Sequence, residues 1–311
     1  MMENKAMKMT ANKYEQYVSL RTDVPGYLVK ATGLEGIQAR VVAASVSNAG
    51  KKLTTLELRY PKFIHSELMT HRQFSRNASS SRAIPVETFI EQATNNPATP
   101  IHWGVNQSGM QAKEEQTDEV WAKSWWHNAR DYAVLCTKDA QQVGLHKQIA
   151  NRILEPWQYI TTLVSATEWG NFFSLRVHPA AQPELQMLAV CAKLAMDAVV
   201  YNQTKWHLPY ISEAEKEVLE EGALKSVSVA RCCRVSYLRH GEGRNTIDDD
   251  IELANTLLNN GHFSPLEHVA VALKDPTLRS GNFEGWHQYR QIRQMQMPVK
   301  TVPVPLDWVI E

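Results

Sequence analysis

Polar and charged side chains concentrate in one stretch of the chain, His71–Arg82, which reads HRQFSRNASSSR. It contains one imidazole, three arginines, four serines and an asparagine around a single aromatic side chain. Guanidinium groups beside hydroxyl and backbone N–H donors form sites that bind phosphate oxygens. The stretch is therefore predicted to bind an anionic ligand. The alternative is a solvated Ser/Asn-rich turn after an ordinary helix, the commoner origin of a lone cluster of this kind.

A helix is expected to carry the start of this stretch. Ile64, Leu68 and Phe74 recur near a spacing of 3.6 residues, whereas His71 lies on another face. The pattern predicts a helix from about Phe63 to about Phe74, followed by a Ser/Asn turn. Further helices are predicted at residues 118–143, about 186–201 and 248–260, the last ended by Gly261.

Two strands precede the first helix, at Ala39–Val46 and Leu53–Tyr60, with a turn at residues 47–50 between them. They are predicted to form a hairpin that leads into the helix. A third strand is expected at Val269–Leu273. We expect it in the same sheet as Leu53–Tyr60, adjacent or one strand apart.

The spacing within the polar stretch matches a known pattern, His-Arg-x-x-Ser-x-Asn-x-x-Ser-x-Arg. It closely resembles the signature of the flavin-dependent thymidylate synthases, with one departure: the family signature opens Arg-His-Arg, whereas this chain has Thr70 in place of the first arginine. The departure affects one contact of the family's nucleotide and flavin site. The positions that match are His71, Arg72, Ser75, Asn77, Ser80 and Arg82.

A second segment resembles the same family. It has the form Asn-Phe-x-x-Leu-Arg followed by Ala-Gln-x-Glu, and its arginine, Arg176, matches the one that holds and polarises the pyrimidine in the family. Judged by itself, Arg176 is an arginine that extends to solvent or pairs with Glu184. The family's histidine before the glutamine is Ala180 here. Arg152 matches a further arginine that the family uses on the nucleotide.

A third region carries two more segments of the family. Ser236 lies in a stretch similar to the family's Ala-Arg-Val-Ser, and residues 261–268, GHFSPLEH, resemble its Gly-His-x-Ser/Thr-Pro-x-Glu-His. The alternative for Ser264, Pro265 and Glu267 is a capping box at a helix start, with no function implied. In ordinary members these segments precede the His-Arg signature. Their position after it predicts a circular permutation.

The resemblance implies the fold and the site. The fold is α/β (α+β), a mixed or antiparallel sheet with long helices, in a single domain of residues 1–311 with an expected insertion at about 85–143. Arg176 is the implied catalytic residue, and no metal is implied. The implied flavin contacts are His71, Arg72, Asn77, Asn171, Ser236, Ser264 and Glu267. The implied substrate contacts are Glu67, Ser80, Ser81, Arg82, Arg152 and Arg176.

The resemblance also implies a reaction: synthesis of dTMP from dUMP, with bound FAD, methylenetetrahydrofolate as one-carbon donor and NADPH as reductant, in a homotetramer whose subunits share sites. One alternative is hydroxymethylation or methylation of a related pyrimidine nucleotide, dUMP or dCMP, because Thr70 and Ala180 depart from the pattern. Another is a non-catalytic nucleotide-binding or assembly protein. Under the permutation, Glu267 and Arg72 are predicted to share one pocket.

Composition excludes several other classes. The 311 residues carry 33 Lys plus Arg and 33 Asp plus Glu, so no global field favours nucleic acid. No apolar run reaches the ~20 residues of a membrane span, and the polar start is unlike a signal peptide, which favours the cytoplasm. The four cysteines show no zinc spacing and no Pro-Cys-His run of a cysteine nucleophile.

Overall fold

The structure is a computed structural model that describes residues 12–22, 26–112, 114–237 and 246–296. Its helices are α1 (His65–Met69), α2 (Val86–Asn95), α3 (Glu119–Gln142), α4 (Lys147–Ile153), α5 (Gly170–Arg176), α6 (Pro183–Ala198), α7 (Glu213–Val218), α8 (Glu221–Arg234), α9 (Ile247–Asn259) and α10 (Tyr289–Gln296). Its strands are β1 (Ser19–Arg21), β2 (Val29–Thr32), β3 (Gln38–Val46), β4 (Lys52–Pro61), β5 (Ser75–Ala78), β6 (Tyr159–Ala166), β7 (Asn202–Gln203), β8 (Trp206–His207), β9 (Ala270–Ala272), β10 (Arg279–Ser280), β11 (Phe283–Glu284) and β12 (Trp286–Gln288).

The main sheet follows the order β1-β2-β3-β4-β6-β5, with every neighbour along this path antiparallel, and β7 pairs with β3 in parallel. The predicted hairpin is confirmed as β3 and β4. Gly50 adopts a φ of 81° in its turn, a conformation that an L-residue with a side chain seldom takes. The predicted α/β class with a mixed sheet is confirmed.

The core lies between this sheet and α6. Leu56, Leu58 and Tyr60 of β4 are fully buried on the face that packs there. Residues on nearly every side of α6 are also buried, which its run of apolar residues 187–192 explains. The sheet and α6 therefore form a fixed support for the segments at their ends.

The predicted helix at residues 63–74 is shorter than expected. The α-helix ends at Met69, and Ser75–Ala78 form edge strand β5, paired with β6 from Ser75 opposite Ser165. The Ser/Asn turn predicted for this part of the signature was therefore wrong. Strand pairing overrode the local preference because β6 presented a free edge to these residues.

The expected position of the third strand was also wrong. β9 lies in a separate three-stranded sheet between β8 and β12. The physical reason is that β4 already has a partner on each side, β3 and β6, and has no edge to offer. The predicted contact in one sheet was therefore impossible.

The predicted helix at 248–260 is confirmed as α9, and Gly261, with a φ of 71°, follows its end. The alternative interpretation of Ser264, Pro265 and Glu267 as a capping box was wrong: the 3₁₀ helix Ser264–His268 has Phe263 at its N-cap and no side-chain cap. The Glu267 carboxylate instead contacts Arg290.

The predicted helix at 118–143 is confirmed as α3. With α2 and α4 it encloses a small apolar cluster of its own. Whether residues 85–143 are an insertion into a single domain remains a prediction. Among the described residues no helix is long and apolar enough to cross a membrane. The same residues contain no group of three or more His, Cys, Asp or Glu placed to hold a metal ion.

Candidate functional site

An open cleft of ≈ 520 Å³ lies between the turn that follows α1 and one face of α5, with β10 beside it. A volume of this order suits a small-molecule ligand. The residues that line it are Thr70, His71, Arg72, Gln73, Phe74, Glu168, Asn171, Phe172, Leu175, Arg176 and Arg279.

An aromatic cluster brings the two walls of the cleft together. The ring centroid of Phe74 lies 4.7 Å from that of Trp169 and 5.3 Å from that of Phe172. All three side chains are buried, so their packing joins the polar signature to a segment about 100 positions later. Phe172 also meets the His71 ring edge to face, at 4.9 Å. The apolar positions of the two motifs therefore fix the spacing of their polar ones.

His71 and Arg176 form a hydrogen-bonded pair in this cleft. Arg176 Nε donates to His71 Nε2 at 2.8 Å, so Nε2 carries no proton and the neutral ring holds its proton on Nδ1. Burial, followed by the charges of Arg176 and Arg76, lowers the pKa of His71 to about 4. The imidazole is therefore neutral near pH 7 and orients the guanidinium without competing with it for an anion.

Thr70, the residue that departs from the family signature, contacts the same guanidinium. Its hydroxyl donates to the Glu67 carbonyl at 2.7 Å and accepts from Arg176 Nη2 at 3.3 Å. The carbonyl thus fixes the direction of the hydroxyl and leaves an oxygen lone pair for Arg176. An arginine at position 70 would place a second positive charge beside Arg176 instead of an acceptor.

The cleft carries an excess of positive charge. Arg72, Arg176 and Arg279 line it, and Glu168 is the acidic residue among the lining side chains. His71 adds no charge near neutral pH. The lining therefore favours an anion with a planar part, because it contains both guanidinium groups and aromatic rings.

A second group of predicted site residues meets at β5. Asn77 donates to the carbonyl of Cys232 at 2.8 Å, and Ser236 donates to the Asn77 side-chain oxygen at 3.2 Å. The backbone N–H of Ser80 donates to the Ser236 carbonyl at 3.0 Å. The segment after α8 thus lies against the signature, although about 150 positions separate them.

The segment of Ser264 and Glu267 also lies beside β5. Gln288 joins this segment to β5: its side-chain amide donates to Ser75 Oγ at 2.8 Å and to the Glu267 carbonyl at 3.3 Å. Ser264 is exposed, and the Glu267 side chain is held by Arg290. Neither residue lines the cleft of this single chain. A pocket shared by Glu267 and Arg72 remains a prediction.

The remaining predicted substrate residues also lie outside the cleft. Glu67 accepts from the Ser66 hydroxyl at 2.9 Å, and Arg152 is exposed and pairs with Glu155 at 3.2 Å. Ser81 is buried, with its carbonyl bound by Asn151, while Arg82 is exposed. Their roles remain predictions.

Sequence reasoning missed Glu168 and Arg279 as cleft residues. Glu168 stands three positions before Asn171, so the second motif could have indicated it. Arg279 stands about 200 positions from the signature, outside every matched motif, and no local pattern indicated it. It was placed beside the cleft by tertiary packing alone.

The lining residues suit a phosphate-bearing planar cofactor such as FAD. Arg72 can neutralise phosphate, the neutral His71 offers an Nδ1–H donor, and Asn171 also lines the cleft. The donor set and charge of this cleft therefore fit the cofactor that the signature implies.

A comparison with protein families decides the relationship. The model of the family described as "Thymidylate synthase complementing protein" matches residues 52–199, which run from β4 to just beyond α6 and contain every cleft residue except Arg279. Over this segment, just under half of its length, the chain is similar to that family. The resemblance read from the signature is thereby confirmed. The family match ends before Ser236, so the circular permutation remains a prediction.

Among solved structures the chain is similar to two of the UMP/dUMP methylase PolB from Streptomyces cacaoi. The one bound with 5-Br UMP is 18% identical, with a TM-score of 0.44, over 52% of this chain and 89% of that one. The one bound with 5-Br dUMP is 20% identical, with a TM-score of 0.40, over 48% and 68%. No curated protein sequence matches the chain significantly.

Proposed function

We propose that the chain is a flavin-dependent enzyme that converts dUMP to dTMP, with methylenetetrahydrofolate as one-carbon donor and NADPH as reductant. The observation that carries the proposal is the Arg176 guanidinium, held by His71 and Thr70 in a positively charged cleft. The cleft lies almost wholly in the segment that is similar to the thymidylate synthase complementing protein family. The neighbouring methylases of known structure act on UMP and dUMP, by their description.

The reaction balances as follows. The C5–H bond of the uracil is replaced by a C–C bond to the methylene carbon of the folate, and the C5 hydrogen leaves as a proton. That carbon is reduced to methyl by one hydride equivalent, two electrons and a proton, which comes from NADPH. In net terms, dUMP, methylenetetrahydrofolate, NADPH and a proton become dTMP, tetrahydrofolate and NADP⁺. One NADPH is therefore consumed for each dTMP.

In this proposal Arg176 donates hydrogen bonds to the pyrimidine and stabilises the negative charge that develops on it. Neutral His71 fixes the direction of that guanidinium through Nε2. FAD bound in the cleft would supply the reducing equivalents for the methylene carbon. His71, Arg72 and Asn171 would hold it from the cleft walls.

The predicted site residues that lie outside the cleft are proposed to reach the ligands when the subunits assemble. In the assembled protein the flavin would be contacted by Asn77, Ser236, Ser264 and Glu267. The nucleotide would be contacted by Glu67, Ser80, Ser81, Arg82 and Arg152. The assembly in this proposal is a homotetramer whose subunits share the sites. Ser236 contacts Asn77 of β5, and the Glu267 segment is joined to Ser75 of β5 through Gln288, which supports this proposal. Sedimentation of the FAD-loaded protein tests the tetramer.

The proposal is tested by incubating the FAD-reconstituted protein with dUMP, methylenetetrahydrofolate and NADPH. We expect dTMP by mass spectrometry and bleaching of the flavin absorbance by NADPH without oxygen. A protein that holds FAD and dUMP yet forms no 5-substituted product would contradict the enzymatic proposal and favour the non-catalytic binding or assembly protein.

A second candidate keeps the site and changes the product. Thr70 stands where the family has arginine and Ala180 where it has histidine, and Thr70 contacts the guanidinium assigned to the pyrimidine. Hydroxymethylation of dUMP or dCMP joins the same methylene carbon to C5 and adds water, with no net reduction. Product formation without stoichiometric NADPH consumption identifies this candidate, and parallel reactions with dUMP and dCMP identify the base.

A further inference from the structure

Arg279 contributes a third guanidinium to the cleft from a part of the chain outside the matched family segment. It begins the small hairpin of β10 and β11, in which Arg279 pairs with Glu284 and Ser280 with Phe283. Its side chain is 56% exposed, so a ligand in the cleft can reach it.

The hairpin is fixed to both walls of the cleft. The backbone N–H of Glu284 donates to Thr167 Oγ1 at 3.1 Å, one residue before the cleft residue Glu168. On the other side, Gln288 of the next strand, β12, donates its backbone N–H to Ser280 Oγ of the hairpin at 3.2 Å. Its side-chain amide donates to Ser75 Oγ at 2.8 Å, one residue after the cleft residue Phe74. These bonds hold the backbone of Arg279 beside the cleft while its long side chain remains at the surface.

The charge of Arg279 is available to a ligand because its ion-pair partner, Glu284, also contacts a second cationic side chain, Lys51. Arg279 Nη2 lies 2.5 Å from Glu284 Oε2, and Lys51 contacts the other oxygen of the same carboxylate. When Arg279 turns toward an anion in the cleft, Lys51 still neutralises Glu284. An exposed ion pair of this kind is worth little, so exchanging it for a phosphate costs little.

We propose that Arg279 binds a phosphate group of the nucleotide in the cleft, together with Arg72. The phosphate belongs either to the pyrimidine nucleotide or to the flavin dinucleotide, since a guanidinium recognises both by the same paired hydrogen bonds. The inference rests on the proposed function for the presence of these ligands, and adds a binding residue that lies outside the family segment.

The experiment compares each phosphate-bearing ligand with a counterpart that lacks phosphate; dUMP and deoxyuridine differ by the phosphate alone, whereas riboflavin lacks the whole adenosine diphosphate part of FAD. Binding of dUMP and deoxyuridine, and of FAD and riboflavin, is measured by calorimetry with the wild-type chain, Arg279→Ala and Arg279→Lys. We expect Arg279→Ala to weaken one phosphate-bearing ligand about 10- to 100-fold, as loss of a charge-assisted hydrogen bond predicts. Its phosphate-free counterpart should bind unchanged. Arg279→Lys should restore part of the affinity, because it keeps the charge and loses the paired geometry.

The variant Lys205→Ala is the matched control, because Lys205 is also an exposed cation paired with a glutamate, Glu221, and does not line the cleft. It should bind all four ligands as the wild type does. The dUMP arm and the FAD arm identify the source of the phosphate. Equal loss for a ligand and its phosphate-free counterpart, or no loss for dUMP and FAD while the wild type binds them, overturns the role of Arg279 alone. A wild-type chain that binds neither dUMP nor FAD overturns the proposed function as well.

Discussion

Two regions of the molecule hold neutral histidines in different ways. In the cleft, burial and the adjacent Arg176 and Arg76 charges lower the pKa of His71 to about 4. In the interior, burial first of all lowers the pKa values of His207 and His268 to about 3. The direction is the same in both regions. The surroundings that cause it differ.

The interior histidines belong to a chain of buried hydrogen bonds. His207 Nδ1 lies 2.8 Å from Ser45 Oγ, and its Nε2 lies 2.7 Å from Thr55 Oγ1. The chain continues through Ser165 Oγ, 2.5 Å from the Thr55 hydroxyl, to His268 Nδ1 at 2.8 Å. These side chains join the main sheet to the three-stranded sheet and to the 3₁₀ helix Ser264–His268.

The comparison shows that a lowered histidine pKa does not by itself mark a functional site. The interior chain consists of groups that bond one another away from any described cavity, which is a structural role, although the buried His268 Nε2 has no hydrogen-bond partner among the described residues. His71 differs because its partner is a guanidinium at an open cleft. Geometry and access, added to the pKa shift, distinguish the two regions.

The largest expected effect concerns acid stability. Because the folded pKa of His207 and His268 lies below the unfolded value near 6.5, the unfolded chain binds more protons between about pH 6.5 and 3. Stability is therefore complete above pH 6.5 and falls as pH drops through that window. Within this window the free energy of unfolding should fall by about 1.4 kcal/mol per pH unit for each buried histidine. Urea unfolding at several pH values measures it; a flat profile from pH 7 to 5 would contradict the assignment.

The next effect is expected from Thr55→Val, which keeps the shape of the side chain and removes the central hydroxyl of the interior chain. His207 Nε2 then loses its partner and Ser165 loses one of two, each at roughly 1–3 kcal/mol for a buried group left unsatisfied. The free energy of unfolding should drop accordingly. Thr94→Val, at an exposed helical threonine, is the control and should remain within about 0.5 kcal/mol of the wild type.

Arg176→Ala should lower the catalytic activity of the protein and leave its folding stability nearly unchanged. Loss of a charge-assisted hydrogen bond costs roughly 1.5–3 kcal/mol, so kcat/KM should fall by about one to two decades while the unfolding midpoint changes little. The change also removes one cause of the lowered pKa of His71, which should rise toward 6.5 in an NMR titration while His207 and His268 stay unchanged. Unchanged steady-state kinetics would refute the role of Arg176.

The smallest effect is expected at Thr70. Thr70→Val removes the hydroxyl that accepts from Arg176, which should lower kcat/KM by up to about tenfold, the value of one ordinary hydrogen bond. Thr70→Ser keeps that hydroxyl and serves as the control. Equal rates for the two variants would show that Thr70 does not position the guanidinium.

Local sequence was sufficient to predict an element wherever the backbone hydrogen bonds of that element form within one short segment. The hairpin of β3 and β4 follows from alternation and a turn, and α3 and α9 follow from helical spacing with a stop at Gly261. The two motifs that line the cleft could also be recognised in the sequence. His71 and Arg72 come from one segment and Asn171 and Arg176 from another, and the spacing within each segment is fixed.

Tertiary structure decided what depends on partners distant in the chain. β5 became a strand because β6 offered an edge, and β9 joined a second sheet because β4 had none left. Arg279 reached the cleft only because buried hydrogen bonds of Gln288 and Thr167 placed its hairpin there. Edges, cavities and the partners of buried polar groups exist only in the packed chain, so no local pattern of residues determines them.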